Sequence, residues 1–182
     1  MFSTIRLKIA NYILEKDLKK DNRNSQLIVL SKTKKIGILF DAENKQNTLD
    51  IKSFLKYFLK KNIDVDILGF VNKSKMEDFH LSTIHVSYFN LKSLNLLGIP
   101  NSQKTKDFIS KEYDILINLS FKDSFPTRYL ALKSHAKFTV GIFANNYNLN
   151  YDLMFKLKIK SLDYFITHLQ HYLELINKNN EK

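Results

Sequence analysis

The sequence predicts an α/β fold: a doubly wound, mostly parallel, Rossmann-like sheet preceded by an N-terminal basic amphipathic helix. Short, nearly continuous apolar runs recur along the chain, as strands covered on both faces require. Segments of helical periodicity separate them, which is the alternation that builds a parallel sheet. The right-handed crossover rule then makes strand order near 3-2-1-4-5 the economical arrangement.

Ser3 or Thr4 can cap a first helix through about Lys20, with Ile5, Ile9, Tyr12 and Ile13 at helical spacing and Leu7, Leu14 and Leu18 widening the stripe. Asp21 to Ser25 reads as a polar linker. Ile36 to Phe40 is a strand, Asp41 to Asn44 a polar loop, and Leu49, Ile51, Phe54, Leu55, Phe58 and Leu59 mark a helix. Ile63 to Val71 and Thr83 to Phe89 are the next strands. Asn90 to Ser102 is the least periodic stretch, with Gly98, Pro100 and Asn101 marking a turn. Gln103 to Lys111 is a short helix and Ile115 to Leu119 a buried strand. Ser124, with Pro126 at the first helical position, opens a helix to about His135, and Phe138 to Phe143 is a strand. After a loop from Asn145 to Asn150 come an edge strand within Tyr151 to Leu157 and a final amphipathic helix from Ser161 to Asn177. The expected organisation is residues 1–25 as basic helix and linker, and 33–178 as one Rossmann-like domain.

Composition narrows the function classes. Hydrophobic residues at 44% and only 4 Gly and 2 Pro describe a core-forming chain. Zero Cys excludes a disulfide framework, thiolate metal ligation and a Cys nucleophile, and fits a reducing, cytoplasmic setting. No apolar run approaches the roughly 20 residues of a membrane span. The formal charge of +11 points toward acidic partners, but 26 of the 29 cations are Lys, and Asn and Ile each occur 18 times, so AT-rich codon usage contributes to it. Residues 1–35 hold nine cations against three anions, a local +6, whereas the remaining 147 residues carry 20 against 15, or +5. Arg6, Lys8, Lys16, Lys19, Lys20 and Arg23 are therefore the candidate macromolecule-binding residues. The first helix either packs its stripe on the domain and turns its lysines to water, or docks on an acidic partner or an anionic membrane surface.

In a doubly wound sheet ligands bind beyond the carboxyl ends of the strands where strand order reverses, here between the strands ending at Phe40 and Leu119. The candidate crevice comprises Asp41, Glu43, Asn44, Asn118, Ser120, Lys122, Asp123, Ser124, Arg128 and Asn145, with Asn146 at the side. Arg128 falls in the first turn of a helix, where backbone N–H groups favour an anion. No GxGxxG or GxxxxGK[ST] occurs, and the loop Phe40 to Asn47 has no Gly, so nucleotide-cofactor chemistry is excluded and no cofactor is expected. Asp41 and Glu43 could pair on Mg2+, but acidic residues at a strand end also cap helices, and no metal site is assigned. His168 and His171 share a helix face without a third ligand and read as surface residues, beside His80, His85 and His135. Ser120, Ser124 and His135 lack a GxSxG elbow, and Asp123 and Ser124 read as N-cap residues; no catalytic residue is assigned.

The segments Ile36–Ala42, Tyr113–Ser120 and Phe125–Tyr129 through Ala136–Gly141, with Tyr151–Met154, resemble an uncharacterised bacterial family of small Rossmann-like α/β proteins. That resemblance implies the fold and carries no activity. Tyr113 to Gly141 also resembles the strand-helix-strand unit in the N-terminal half of heptosyltransferase-like glycosyltransferases, with Asn118 where a carboxylate is common. Those enzymes bind the sugar nucleotide mainly in a second such domain, for which 182 residues leave no room, so the likeness implies architecture and not glycosyl transfer. The function expected is a non-catalytic binding module contacting RNA, a ribonucleoprotein or an acidic protein surface through its N-terminal segment. The alternative is a small-molecule transferase or hydrolase with its site at the strand ends.

Overall fold

The computed structural model describes residues 4–19, 25–121, 124–143 and 151–180. The expected helix end at Lys20, residues 21–24 of the linker including Arg23, Lys122, Asp123 and residues 144–150, with Asn145 and Asn146, lie outside the described residues. The elements run α1 (Thr4–Leu18), β1 (Lys35–Asp41), α2 (Lys45–Leu59), β2 (Asp64–Val71), β3 (Val86–Asn90), α3 (Gln103–Ser110), β4 (Ile115–Asn118), α4 (Phe125–Lys133), β5 (Phe138–Ile142), β6 (Leu153–Phe155) and α5 (Leu162–Asn180). The strands form one sheet, parallel throughout, in the order β3-β2-β1-β4-β5-β6. This is the expected doubly wound order with β6 added at one edge. The third strand starts later than Thr83 because the Thr83 N–H donates to the Val86 carbonyl at 2.8 Å and turns the chain there.

Alternation along β1 shows why both faces must be covered. Ile36, Ile38 and Phe40 point into the layer filled by Ile51, Phe54 and Phe58 of α2 and Phe165, Leu169 and Leu173 of α5. Leu39 points the other way, with Leu68, Phe70 and Leu116, against Phe108 of α3 and Leu130 and Ala131 of α4. Two strand glycines seat aromatic rings on the sheet. A Cβ at Gly69 would lie 2.7 Å from the Phe40 ring and 2.8 Å from that of Tyr88, and one at Gly141 would lie 2.6 Å from the Tyr151 ring. In the aperiodic stretch, Gly98 takes a left-handed φ of 81° while the Asn95 side chain accepts from the Leu97 and Ile99 N–H groups.

α1 forms a third layer outside α4. Ala10 and Leu14, with Leu7 and Leu18, pack on Phe125, Tyr129 and Leu132 of α4 and on Leu97 and Ile99. This corrects the sequence expectation for the helix: Ile5, Ile9 and Tyr12 are 70%, 44% and 67% exposed, so the stripe built on them is not the docked face. At 100° per residue Lys16 falls within the Ile5, Ile9 and Tyr12 stripe, so burying that stripe would drag an ammonium out of water. The Leu7, Ala10, Leu14 and Leu18 face carries no charge, and its Ala10 and Leu14 are buried.

The amino ends of the strands are tied by charge. The Asp114 carboxylate accepts from the Lys34 and Lys35 N–H groups at 2.7 and 3.1 Å and from Lys137 Nζ at 2.8 Å. Asp66 receives Lys111 at 2.9 Å and Lys35 at 3.3 Å. At the sheet edge, Lys104 Nζ donates to the Tyr88 carbonyl at 3.0 Å and Val86 N–H to Thr83 Oγ1 at 3.1 Å, occupying groups that would otherwise recruit another strand.

Burial alone would raise the Asp114 pKa, but Lys137 and the two backbone N–H groups hold it below the usual carboxylate range. Burial opposes the same shift at Asp66, where Lys111 and Lys35 prevail. Folded-state pKa values depressed in this way give stability that is complete above the unfolded value, about 4, and is lost as pH falls through the folded value. The thermal midpoint should therefore stay level from pH 7 to 5 and fall below about pH 4. Asp114→Ala should cost about 2 kcal/mol at pH 7 in urea titrations and make that acid fall shallower.

Candidate functional site

Strand order reverses between β1 and β4, and the loops that carry the expected crevice residues follow these two strands. The Leu119 N–H donates to the Leu39 carbonyl at 2.8 Å, which sets the loop after β4 beside the one after β1. Asp41 ends β1, and Asn44 is the N-cap of α2, its side chain accepting from the Asn47 N–H at 2.8 Å. Glu43 is half-buried between them.

On the β4 side of the switch point Asn118 is the hydrogen-bonded centre. Asn118 is buried at the end of β4, where its Nδ2 donates to the Tyr151 hydroxyl at 2.7 Å and its Oδ1 accepts from the Ser120 N–H at 3.2 Å. The Ser120 and Ser124 Oγ atoms are buried without a hydrogen-bond partner among the described residues. Ser124 occupies the N-cap position of α4 but makes no side-chain cap bond, contrary to the reading of it as a capping side chain, and Pro126 sits in the first turn behind Phe125. Leaving a buried hydroxyl unsatisfied carries a desolvation penalty.

Arg128 differs most from its expected role. It is 4% exposed, and its Nη2 donates to Asn11 Oδ1 of α1 while its guanidinium lies 5.6 Å from the Phe125 ring centroid. Its charge is thus engaged by the N-terminal helix. A second tie runs from Lys133 of α4 to Asp17 of α1 at 4.0 Å.

Sequence reasoning gave no role to His80, Tyr151 or Asn11. His80 is buried, and its Nδ1 accepts the Glu77 N–H at 2.9 Å, so its Nε2 carries the proton and donates to the Ala42 carbonyl at 2.8 Å. This fastens the turn after β2 to the loop after β1. Nothing in an aperiodic segment flags such a histidine, whereas Gly141 inside an apolar strand does signal the close approach that Tyr151 makes. The Tyr88 hydroxyl is buried beside Thr48 without a hydrogen bond of ordinary geometry; burial raises its pKa and the Thr48 side chain opposes the shift. His168 and His171 are exposed on α5, and among the described residues no three His, Asp or Glu side chains gather as a metal site. Two cavities lined by described residues, of about 360 and 320 Å³, lie at the amino ends of the strands, one beside Asp66, His85 and Lys104 and the other beside Asp114 and Lys137.

On α1 and the residue just after it, Arg6, Lys8, Lys16 and Lys19 are all exposed, and Lys8, Lys16 and Lys19 make no ion pair among the described residues. They share the outward side of the helix with Ile5, Ile9 and Tyr12. Lys20 and Arg23, the other two predicted contact residues, fall outside the described residues.

The Arg128 and Asn11 pair should behave as a coupled unit. Asn11→Ala should cost about 1–3 kcal/mol by leaving a buried guanidinium donor without this acceptor, and a double-mutant cycle with Arg128→Ala should return a coupling above about 0.5 kcal/mol in urea unfolding. Ser120→Ala should be neutral or stabilising by up to about 1 kcal/mol, because it removes an unsatisfied buried hydroxyl.

Among the described residues no helix is long and apolar enough to cross a membrane. No curated protein and no solved structure matches the chain. Residues 6–176 match a family described as "Family of unknown function (DUF6913)". The match spans α1 and the whole sheet, and the chain belongs to that family.

Proposed function

We propose that the protein is a non-catalytic binding module that contacts an acidic macromolecule through the outward, basic face of α1. The observation that carries this reading is that α1 is held on the domain by its uncharged face while Lys8, Lys16 and Lys19 stand in solvent without ion pairs among the described residues. Arg128, Asp17 and Lys133 fix the orientation of the helix. The transferase or hydrolase alternative needs Asp41, Asn118, Ser120 and Arg128 to converge on one substrate. Arg128 is turned to Asn11 and Asn118 to Tyr151, which favours the docking reading. The likeness of residues 113–141 to a glycosyltransferase unit is read as shared architecture for the same reason.

Two probes test this, a fluorescent 20-nucleotide oligouridylate and polyglutamate, each followed by anisotropy over a salt series. Lys8→Glu, Lys16→Glu and Lys19→Glu together should weaken both by at least about tenfold. The control is Lys45→Glu and Lys56→Glu on α2 with Lys60→Glu at its C-cap, which changes the net charge equally and should have a far smaller effect. For the oligouridylate, these three lysines at about 0.7 each predict a contribution of about −2 to the log-log salt slope. Equal losses from the two triple variants would mean that net charge alone attracts the probes, and would end the proposal.

A further inference from the structure

We infer that the acidic partner is a protein, and that it lays the apolar row of an acidic amphipathic segment along Ile5, Ile9 and Tyr12. The inference rests on the docking reading above and names its partner. Three large apolar side chains at i, i+4 and i+7, all substantially exposed, form a continuous row on one side of a helix, whereas scattered single apolar residues are the norm on a protein surface. The row is not left over from packing against the domain, because the opposite face of the same helix does that with a separate set of side chains.

The charges around the row select among occupants. Lys8 and Lys19 flank it on one side, Arg6 lies on the other, and Lys16 follows Tyr12 by one turn; Glu15 is the only exposed acidic residue of α1. A second copy of this chain is disfavoured, since it would set one basic face against another. A bilayer would suit a wide apolar face, but this row covers only about 60° of the helix and Lys16 lies within it, so insertion would carry an ammonium to apolar depth. RNA would answer the cations yet gain little from Ile5 and Ile9, leaving Tyr12 as the one stacking plane. A protein segment with apolar anchors at helical spacing and carboxylates beside them satisfies both the row and its rim.

The test uses the full chain and four probes: a designed helical peptide with leucines at i, i+4, i+7 and i+11 between glutamates, a scrambled peptide of the same composition, the oligouridylate, and vesicles containing phosphatidylglycerol. In 0.3 M salt the patterned peptide should bind at least about tenfold tighter than the scrambled one. Ile5→Ser, Ile9→Ser and Tyr12→Ser together should abolish that preference, leaving low-salt oligouridylate binding and the circular dichroism spectrum unchanged. Equal binding of the two peptides overturns the inference. So does a preference that survives the serine substitutions, or a loss of oligouridylate or vesicle binding caused by them. If the glutamate triple variant weakens every probe while the serine variant weakens none, the partner assignment falls and the docking reading stands. If neither variant matters, both fall.

Discussion

The guanidinium of Arg128, buried between α4 and α1, is the constraint from which the arrangement of the N-terminal helix follows. A charge removed from water is tolerable only with good hydrogen-bond acceptors, and the helix that covers α4 brings one to this position. Asn11 does so, and in doing so it fixes the rotation of α1 about its axis. Once Asn11 faces α4, the helical period sends Leu7, Ala10, Leu14 and Leu18 inward and leaves Ile5, Ile9, Tyr12 and Lys16 outside. The same contact explains why α4 is buried along most of its length: it has the sheet on one side and α1 on the other.

This arrangement divides the two basic features of the sequence into different roles. Arg128 holds one helix to another through Asn11, whereas Lys8, Lys16 and Lys19 are exposed and carry the docking proposal. Two side-chain bonds near the carboxyl ends of the strands hold loops together. Asn118 and Tyr151 link the end of β4 to the segment entering β6, and His80 links the turn after β2 to Ala42. Carboxylates at the opposite end of the sheet, Asp114 above all, bind the entries of β1 and β5.

The sheet was legible because its signal is repeated. Runs such as Ile36–Phe40 and Ile115–Leu119 are apolar on both faces, and α2 and α5 have one strong apolar stripe each. The first helix was legible as a helix but not in its phase, since it has apolar residues on two sides and periodicity cannot say which side a domain will cover. Its Lys16 was the available clue. The reversal of strand order between β1 and β4 was legible from the alternation of strands and helices, but side-chain direction beside it depends on contacts distant in sequence, such as Asn11 with Arg128 and Asn118 with Tyr151. Ser124 shows the same limit: its position marks the N-cap, yet its hydroxyl does not perform the cap.

The orientation of α1 is the claim on which the functional reading stands, and cysteine reactivity measures it directly because the chain has no cysteine of its own. Single variants Ile9→Cys and Leu14→Cys differ by little more than one helical turn and lie on opposite sides of the helix. In the native protein the thiol at position 9 should react with a maleimide almost as fast as a free peptide, and that at position 14 about 100-fold more slowly, as expected for a site that reacts only on local opening. Rapid labelling at position 14 with protection at position 9 would place the Ile5, Ile9 and Tyr12 row against the domain and contradict the account.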